Sequence, residues 1–88
     1  MITKNYIITA AEGMHARPAT ALVKLTKRFT SAISIKKGDR TVKLNSLLNI
    51  LGLAIKGGDT ISITTDGEDE VTASVAIDTF FQEELKHL

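Results

Sequence analysis

One of the two histidines in this 88-residue chain has neighbours that could give it chemistry to do. In the run Gly13-Met14-His15-Ala16-Arg17-Pro18-Ala19-Thr20, an imidazole lies two residues before a guanidinium and three before the only proline. Proline lacks a backbone N–H and fits a helix only in its first turn, so a helix must begin close to His15. Gly13 suits a sharp turn leading into that helix. Helix-start amides and the helix dipole attract anions, phosphoryl groups among them. Arg17, in the same turn, can add charge-assisted bonds to phosphate oxygens, about 1.5–3 kcal/mol each. Imidazole has an ordinary pKa of about 6.5, so its neutral, nucleophilic form is available at physiological pH. Together these residues make an anion site with a nucleophile inside it. An N–P bond is reactive, which suits a relay better than a store, and the catalysis would be mostly positioning and charge neutralisation. His15 and Arg17 are the expected reacting pair. Ala16, Arg17 and Pro18 are the expected phosphate-binding positions, Pro18 by shaping the helix start, since it has no N–H to donate. A capping histidine beside a surface arginine is the plainer account of the same residues. It would serve for His15 alone, but not for Gly, His, Arg and Pro at one strand-to-helix junction.

The elements that must position this run show in the hydrophobic pattern. Four short stretches alternate with period two: Tyr6 and Ile8, Ile33 and Ile35, Val42 and Leu44, Ile61 and Ile63. Each reads as a strand with one buried face. Gly38-Asp39 reads as the hairpin turn between the second and third. Over residues 16–29, Pro18, Ala19, Leu22, Val23, Leu25, Thr26 and Phe29 share one helical arc. Arg17, Thr20, Lys24, Lys27 and Arg28 fall on the opposite arc, so a helix should lie on the sheet. A third helix follows the Asp66-Gly67 turn. It has Ala73, Ile77, Phe80, Phe81 and Leu85 on one side, Asp69 and Glu70 at its start and Lys86 near its end. The expected order is βαββαβα, an α+β chain in which helices cover one face of an antiparallel sheet and leave the other wet.

Residues 46–55 carry leucine or isoleucine in every helical direction. Ser46 is a good N-cap, and Gly57-Gly58 is the expected stop. Ile50 and Leu53 are expected to face the core, leaving Leu47, Leu48 and Leu51 partly exposed. An exposed apolar cluster of this kind often marks a docking surface. Thr20, Lys24 and Lys27 on the first helix would extend it, and its basic arc of Lys24, Lys27 and Arg28 would favour partners with acidic rims.

Composition narrows the rest. The length suits a single domain over residues 1–88 with one thin core. There is no cysteine for disulfides or thiolate metal sites, and no metal or cofactor is expected. No apolar run resembles a signal peptide or a membrane span, so the cytoplasm is the expected compartment and no membrane insertion is expected. A net charge of +1, and Tyr6 as the sheet's lone aromatic, argue against a nucleic-acid partner. The acidic run from Asp66 to Glu70 lacks the spacing of an EF-hand and reads as a turn with helix-start acids. His87 has no motif around it. A free-standing acylphosphatase-like enzyme of this size would leave His15 without a role.

The His15 run resembles the active-site signature of the HPr family, the histidine-containing phosphocarriers of the bacterial sugar phosphotransferase system. The similarity extends over the whole chain, through Ser46 before its apolar helix and Asp66-Gly67-Glu68-Asp69-Glu70. The resemblance implies an open-faced β-sandwich, with four antiparallel strands under three helices, and implies that enzyme I, charged from phosphoenolpyruvate, phosphorylates Nδ1 of His15. The phosphoryl group then passes to sugar-specific IIA proteins. It implies a relay protein rather than a free-standing enzyme, acting as a monomer, with the leucine patch near the active histidine and in contact with partners. In Gram-positive relatives the serine matching Ser46 is phosphorylated by a regulatory kinase. That makes HPr kinase/phosphorylase and a transcriptional regulator further implied partners. Here the surrounding run is Asn45-Ser46-Leu47-Leu48-Asn49, where many regulated members have Lys-Ser-Ile-Met-Gly. Paralogues exist for nitrogen control, which keep the histidine, and for catabolite repression, in which it is replaced. His15 argues against the second and leaves the first as the alternative.

Overall fold

The computed structural model describes residues 1–85. Its elements are β1 (Ile2–Ile7), α1 (Ala16–Thr26), β2 (Ala32–Lys37), β3 (Arg40–Lys43), α2 (Leu47–Leu51), β4 (Thr60–Asp66) and α3 (Glu70–Thr79). A π-helical turn over Phe80–Glu84 continues α3. This is the expected βαββαβα order. Lys86 and His87 lie outside the described residues.

The strands form one antiparallel sheet in the order β1-β4-β2-β3. Its register brings Ile63 opposite both Lys4 and Ile35, and Ile35 opposite Val42. Period two then gives the sheet two unlike faces. Ile33, Ile35, Ile61, Ile63 and Thr65 are buried on the inner face. Pro18, Ala19, Leu22 and Val23 of α1 and Ala73 and Ile77 of α3 are buried with them. The other face carries short polar residues along its middle, with Ile7 exposed near the end of β1. Thr3 and Thr64 hydroxyls meet at 3.1 Å, and the Ser62 hydroxyl donates to Asn5 Oδ1 at 2.6 Å. The hairpin turn falls on Gly38-Asp39, as expected, between the paired Lys37 and Arg40.

The C-terminal helix is pinned to β1 by an aromatic contact. The Tyr6 ring stacks on Phe81 with centroids 4.5 Å apart, and its hydroxyl donates to Asp78 Oδ1 at 3.1 Å. Burial, reinforced by that carboxylate, pushes the Tyr6 phenol well above its ordinary pKa.

Two helices end earlier than the sequence pattern predicts. α1 stops at Thr26 instead of reaching Phe29. Its last turn tightens through Arg28 N to Leu25 O and Phe29 N to Thr26 O, both 3.2 Å. The buried Thr26 hydroxyl sits 2.8 Å from Val23 O and 2.8 Å from Leu44 O, fixing where the chain leaves the helix. α2 stops at Leu51 with Gly52 as its C-cap, well short of Gly57-Gly58. Side chains from the β2–β3 hairpin take over the freed carbonyls. Lys37 Nζ donates to Leu53 O at 3.2 Å and Ala54 O at 2.8 Å, and Arg40 Nη1 donates to Gly52 O at 3.1 Å. Cations at a helix C-terminus satisfy both the hydrogen-bonding and the dipole requirement. Gly57 and Gly58 instead shape the turn into β4, where Gly58 N donates to Ile8 O at 2.8 Å.

Candidate functional site

The site begins with the loop that carries the chain from β1 to α1. Gly13 N donates to Ala10 O at 2.9 Å and Met14 N to Ile55 O at 3.0 Å. Gly13 has φ +70, and a Cβ there would lie 2.3 Å from Ile55 O. No residue with a side chain can take that conformation so close to another backbone without movement. Met14 is buried beneath the loop, and His15 emerges just after it, about a third exposed.

His15 is the N-cap of α1 in an extended conformation, and its side chain makes no capping bond. Pro18 explains how a non-capping residue can stand there. The third helical position is where an N-cap side chain normally finds a donor, and Pro18 has none to offer. Ala19 N, the next amide, is already bonded to His15 O at 3.1 Å. The amides of Ala16 and Arg17 have no protein partner among the described residues and remain open to an anion. The Arg17 side chain is exposed and joins no ion pair among the described residues. A shallow depression lined by Ala16, Arg17, Thr20, Ala21 and Lys24 runs along α1 beside this start. Thr20 Oγ1 donates to Ala16 O at 2.7 Å. That hydroxyl is therefore committed to the helix rather than to an incoming group.

Two ring contacts orient the imidazole. Nδ1 is 3.4 Å from Gly13 O, and Nε2 is 3.4 Å from Glu12 Oε2. Glu12 escaped the sequence reading, although an acid three residues before a candidate nucleophile is a signal that could have drawn attention.

The apolar segment behaves as expected on burial. Ile50 and Leu53 are buried, Leu47 is half-buried, and Leu48 and Leu51 are exposed at 78% and 37%. α2 packs against α1, so the leucines lie on the helix layer that carries the His15 run. Lys24 on α1, and Lys27 and Arg28 just beyond its end, are exposed with no ion-pair partner among the described residues. Ser46 caps α2: its hydroxyl accepts from Asn49 N at 3.4 Å, while Asn49 Nδ2 donates to Lys43 O at 3.3 Å.

A cleft of about 520 Å³ opens between the C-terminal end of α1 and the strands, lined in part by Thr26, Phe29, Ser34 and Lys43. It is lined by neither His15 nor Arg17. The Thr26 hydroxyl on its wall is already bonded, so the cleft lacks the reactive groups found at the helix start.

The family model described as the PTS HPr component phosphorylation site matches residues 2–83. The chain belongs to the HPr family. It is 36% identical to phosphocarrier protein HPr of Lysinibacillus sphaericus over 83 residues, which cover 94% of each chain. It is 37% identical to HPr-like protein Crh of Halalkalibacterium halodurans over 84 residues, covering 96% of this chain and 100% of that one. Among solved structures, the histidine-containing phosphocarrier protein of a Mycoplasma superposes with a TM-score of 0.91 at 36% identity, covering 96% of both chains. The open-faced sandwich is the fold of this HPr relative. No helix of the described residues is long and apolar enough to cross a membrane.

Proposed function

We propose that the protein is a cytoplasmic phosphocarrier in which residues 1–88 act as one domain. His15 accepts a phosphoryl group from phospho-enzyme I and passes it to sugar-specific IIA proteins. The observation that carries this reading is the start of α1. There a partly exposed, non-capping histidine stands over two open amides with Arg17 beside it. An arriving phosphoryl group would find amide donors, a favourable dipole and a guanidinium, with an imidazole nitrogen to attack it. Leu47, Leu48 and Leu51, with Thr20, Lys24 and Lys27, form the docking surface in this reading. The leucines supply apolar area and the lysines steer acidic partners.

The similarity to Crh favours a second reading, a regulatory paralogue. His15 itself speaks for the carrier, because the repressive type lacks the histidine. A nitrogen-branch carrier would use the same site with a different enzyme I. Ser46 is a candidate regulatory phosphosite. Phosphate on it would place about −2 charge beside the leucine patch and weaken docking of enzyme I. If HPr kinase from the same organism leaves the chain's mass unchanged, that regulatory role fails.

The deciding experiment incubates the full chain with phosphoenolpyruvate and purified enzyme I of the sugar type, then of the nitrogen type. Intact mass is read under alkaline and acidic conditions. One phosphate that survives alkali, is lost in acid and maps to His15 supports the carrier, and the preferred enzyme I assigns the branch. No phosphate from either enzyme leaves the regulatory reading in its place.

A further inference from the structure

Glu12 is a charged side chain set directly against the His15 ring, with Oε2 3.4 Å from Nε2. On the other side of the ring, Gly13 O lies 3.4 Å from Nδ1. A neutral imidazole carries one proton, and here two acceptors compete for it, one at each nitrogen. We propose that Glu12 is a positioning residue that holds the ring proton of neutral His15 on Nε2, leaving Nδ1 with the lone pair that attacks phosphorus. Its consequence for transfer rests on the phosphocarrier reading above; its geometry does not.

The two acceptors are equally distant but unlike. Gly13 O is a neutral carbonyl, and at 3.4 Å both contacts are long, so charge rather than distance separates them. Glu12 offers a carboxylate, and interactions with an ionised acceptor are roughly twice as strong as neutral ones. With the proton on Nδ1, the bare lone pair of Nε2 would face that carboxylate, a repulsive arrangement. With the proton on Nε2, the N–H partial charge and the carboxylate attract by proximity, and the hydrogen bond from Nδ1 to Gly13 O is given up. Glu12 is largely exposed, so it acts through charge rather than through rigid packing.

The tautomer matters because the two nitrogens are not equivalent in the transfer. From the Nε2–H form, the Nδ1 lone pair forms the N–P bond while the donor's bond to phosphorus breaks and its electron pair leaves with the donor. No proton moves. The ring takes a positive charge shared with the N–H that faces Glu12. On transfer to an acceptor the N–P pair returns to Nδ1, again without a proton step. From the Nδ1–H form, the proton must leave before phosphorus can be attacked.

The test compares wild type, Glu12→Gln and Glu12→Ala in the full chain, using ¹⁵N NMR of the imidazole nitrogens without any phosphoryl donor. Wild type should show mainly Nε2–H. Glu12→Ala should move the tautomer ratio about three- to fivefold toward Nδ1–H, the scale of an exposed charge pair. Phosphorylation by enzyme I should slow only as far as the Nε2–H fraction falls, about threefold at most. Glu12→Gln keeps a carbonyl oxygen at the same place and should recover part of the wild-type ratio. Raising ionic strength should move wild type toward Glu12→Ala. A ratio that is the same in wild type and Glu12→Ala, or a wild type that is mainly Nδ1–H, overturns the proposal. A ratio that shifts as expected in a chain no enzyme I can phosphorylate supports the role of Glu12 and defeats the carrier reading instead.

Discussion

The starts of α1 and α2 pose the same physical problem and solve it in opposite ways. Among the described residues each leaves its first two amides without a protein partner, and each must deal with the third. At α2 the third amide, Asn49 N, is met by the Ser46 hydroxyl. At α1 the third residue is Pro18, which has no amide to satisfy. Removing the donor frees the N-cap from capping, and that place is taken by a histidine whose ring makes no bond to its own helix. A helix start becomes reactive here because a proline relieves the cap of its structural duty. A serine cap, by contrast, is committed to stability. α3 offers a third solution: its N-cap Asp69 turns away from the helix and receives Thr30 N at 2.8 Å, Ser31 N at 2.9 Å and the Ser31 hydroxyl.

If this contrast is right, His15→Ala should abolish phosphoryl acceptance while leaving stability nearly untouched. No capping bond is lost, and partly exposed positions without such duties usually stay within about 0.5 kcal/mol. Arg17→Ala should slow acceptance about 10- to 100-fold, the loss of one charge-assisted contact, again without unfolding. Intact mass after timed exposure to phospho-enzyme I reads the first effect, and urea melts read the second. A His15→Ala protein that still accepts phosphate would end the contrast at once.

The loop before α1 should be far less tolerant than the histidine it presents. Gly13→Ala must accommodate φ +70 and a Cβ 2.3 Å from Ile55 O, so backbone has to move. A loss of about 2–4 kcal/mol in urea unfolding is expected, combining strain with overpacking. Transfer should fall as well, because the same movement displaces His15. A melt unchanged from wild type would show that the loop is not what holds the ring in place.

At α3, the hydroxyl of Ser31 and the amide of Thr30 stabilise the Asp69 carboxylate and hold its pKa below the ordinary value of 3.8. A lowered folded value means the contribution is complete above about pH 4 and is lost as pH falls through the folded pKa. Asp69→Asn removes that dependence. Its stability deficit against wild type should be constant near neutrality and shrink on acidification below about pH 4. A deficit that stays the same down to the acid limit would mean the Asp69 bonds do not depend on its charge.

How much of this was legible in the sequence follows from the range of each interaction. Alternation at Ile33, Ile35, Ile61 and Ile63 is a local property, so the strands and their buried face could be read directly. The order β1-β4-β2-β3 could not, because Ile63 gives no sign that its neighbours are Lys4 and Ile35. His15 was legible because Pro18 fixes the helix start by itself. The end of α2 was misplaced because Gly57-Gly58 looks like a stop, whereas Lys37 and Arg40 supply partners from a separate hairpin. Glu12 was missed because its role depends on which way one loop turns the ring.

The smallest expected effect is the mirror image of the first. Ser46→Ala deletes the side-chain cap of α2 and leaves Asn49 N without it. Cap removal costs about 0.5–2 kcal/mol in general. The 3.4 Å length of this bond and the shortness of α2 place Ser46→Ala at the low end, about 0.5–1 kcal/mol. Transfer through His15 should be unaffected at saturating enzyme I, since Ser46 touches neither the ring nor the open amides of α1. At limiting enzyme I, any loss would reflect a loosened Leu47–Leu51 segment, because the variant adds no charge beside it. His15→Ala should remove function and spare stability, and Ser46→Ala should lower stability and spare function. A Ser46→Ala protein as stable as wild type, yet poor at saturating transfer, would reverse the assignment of the two helix starts.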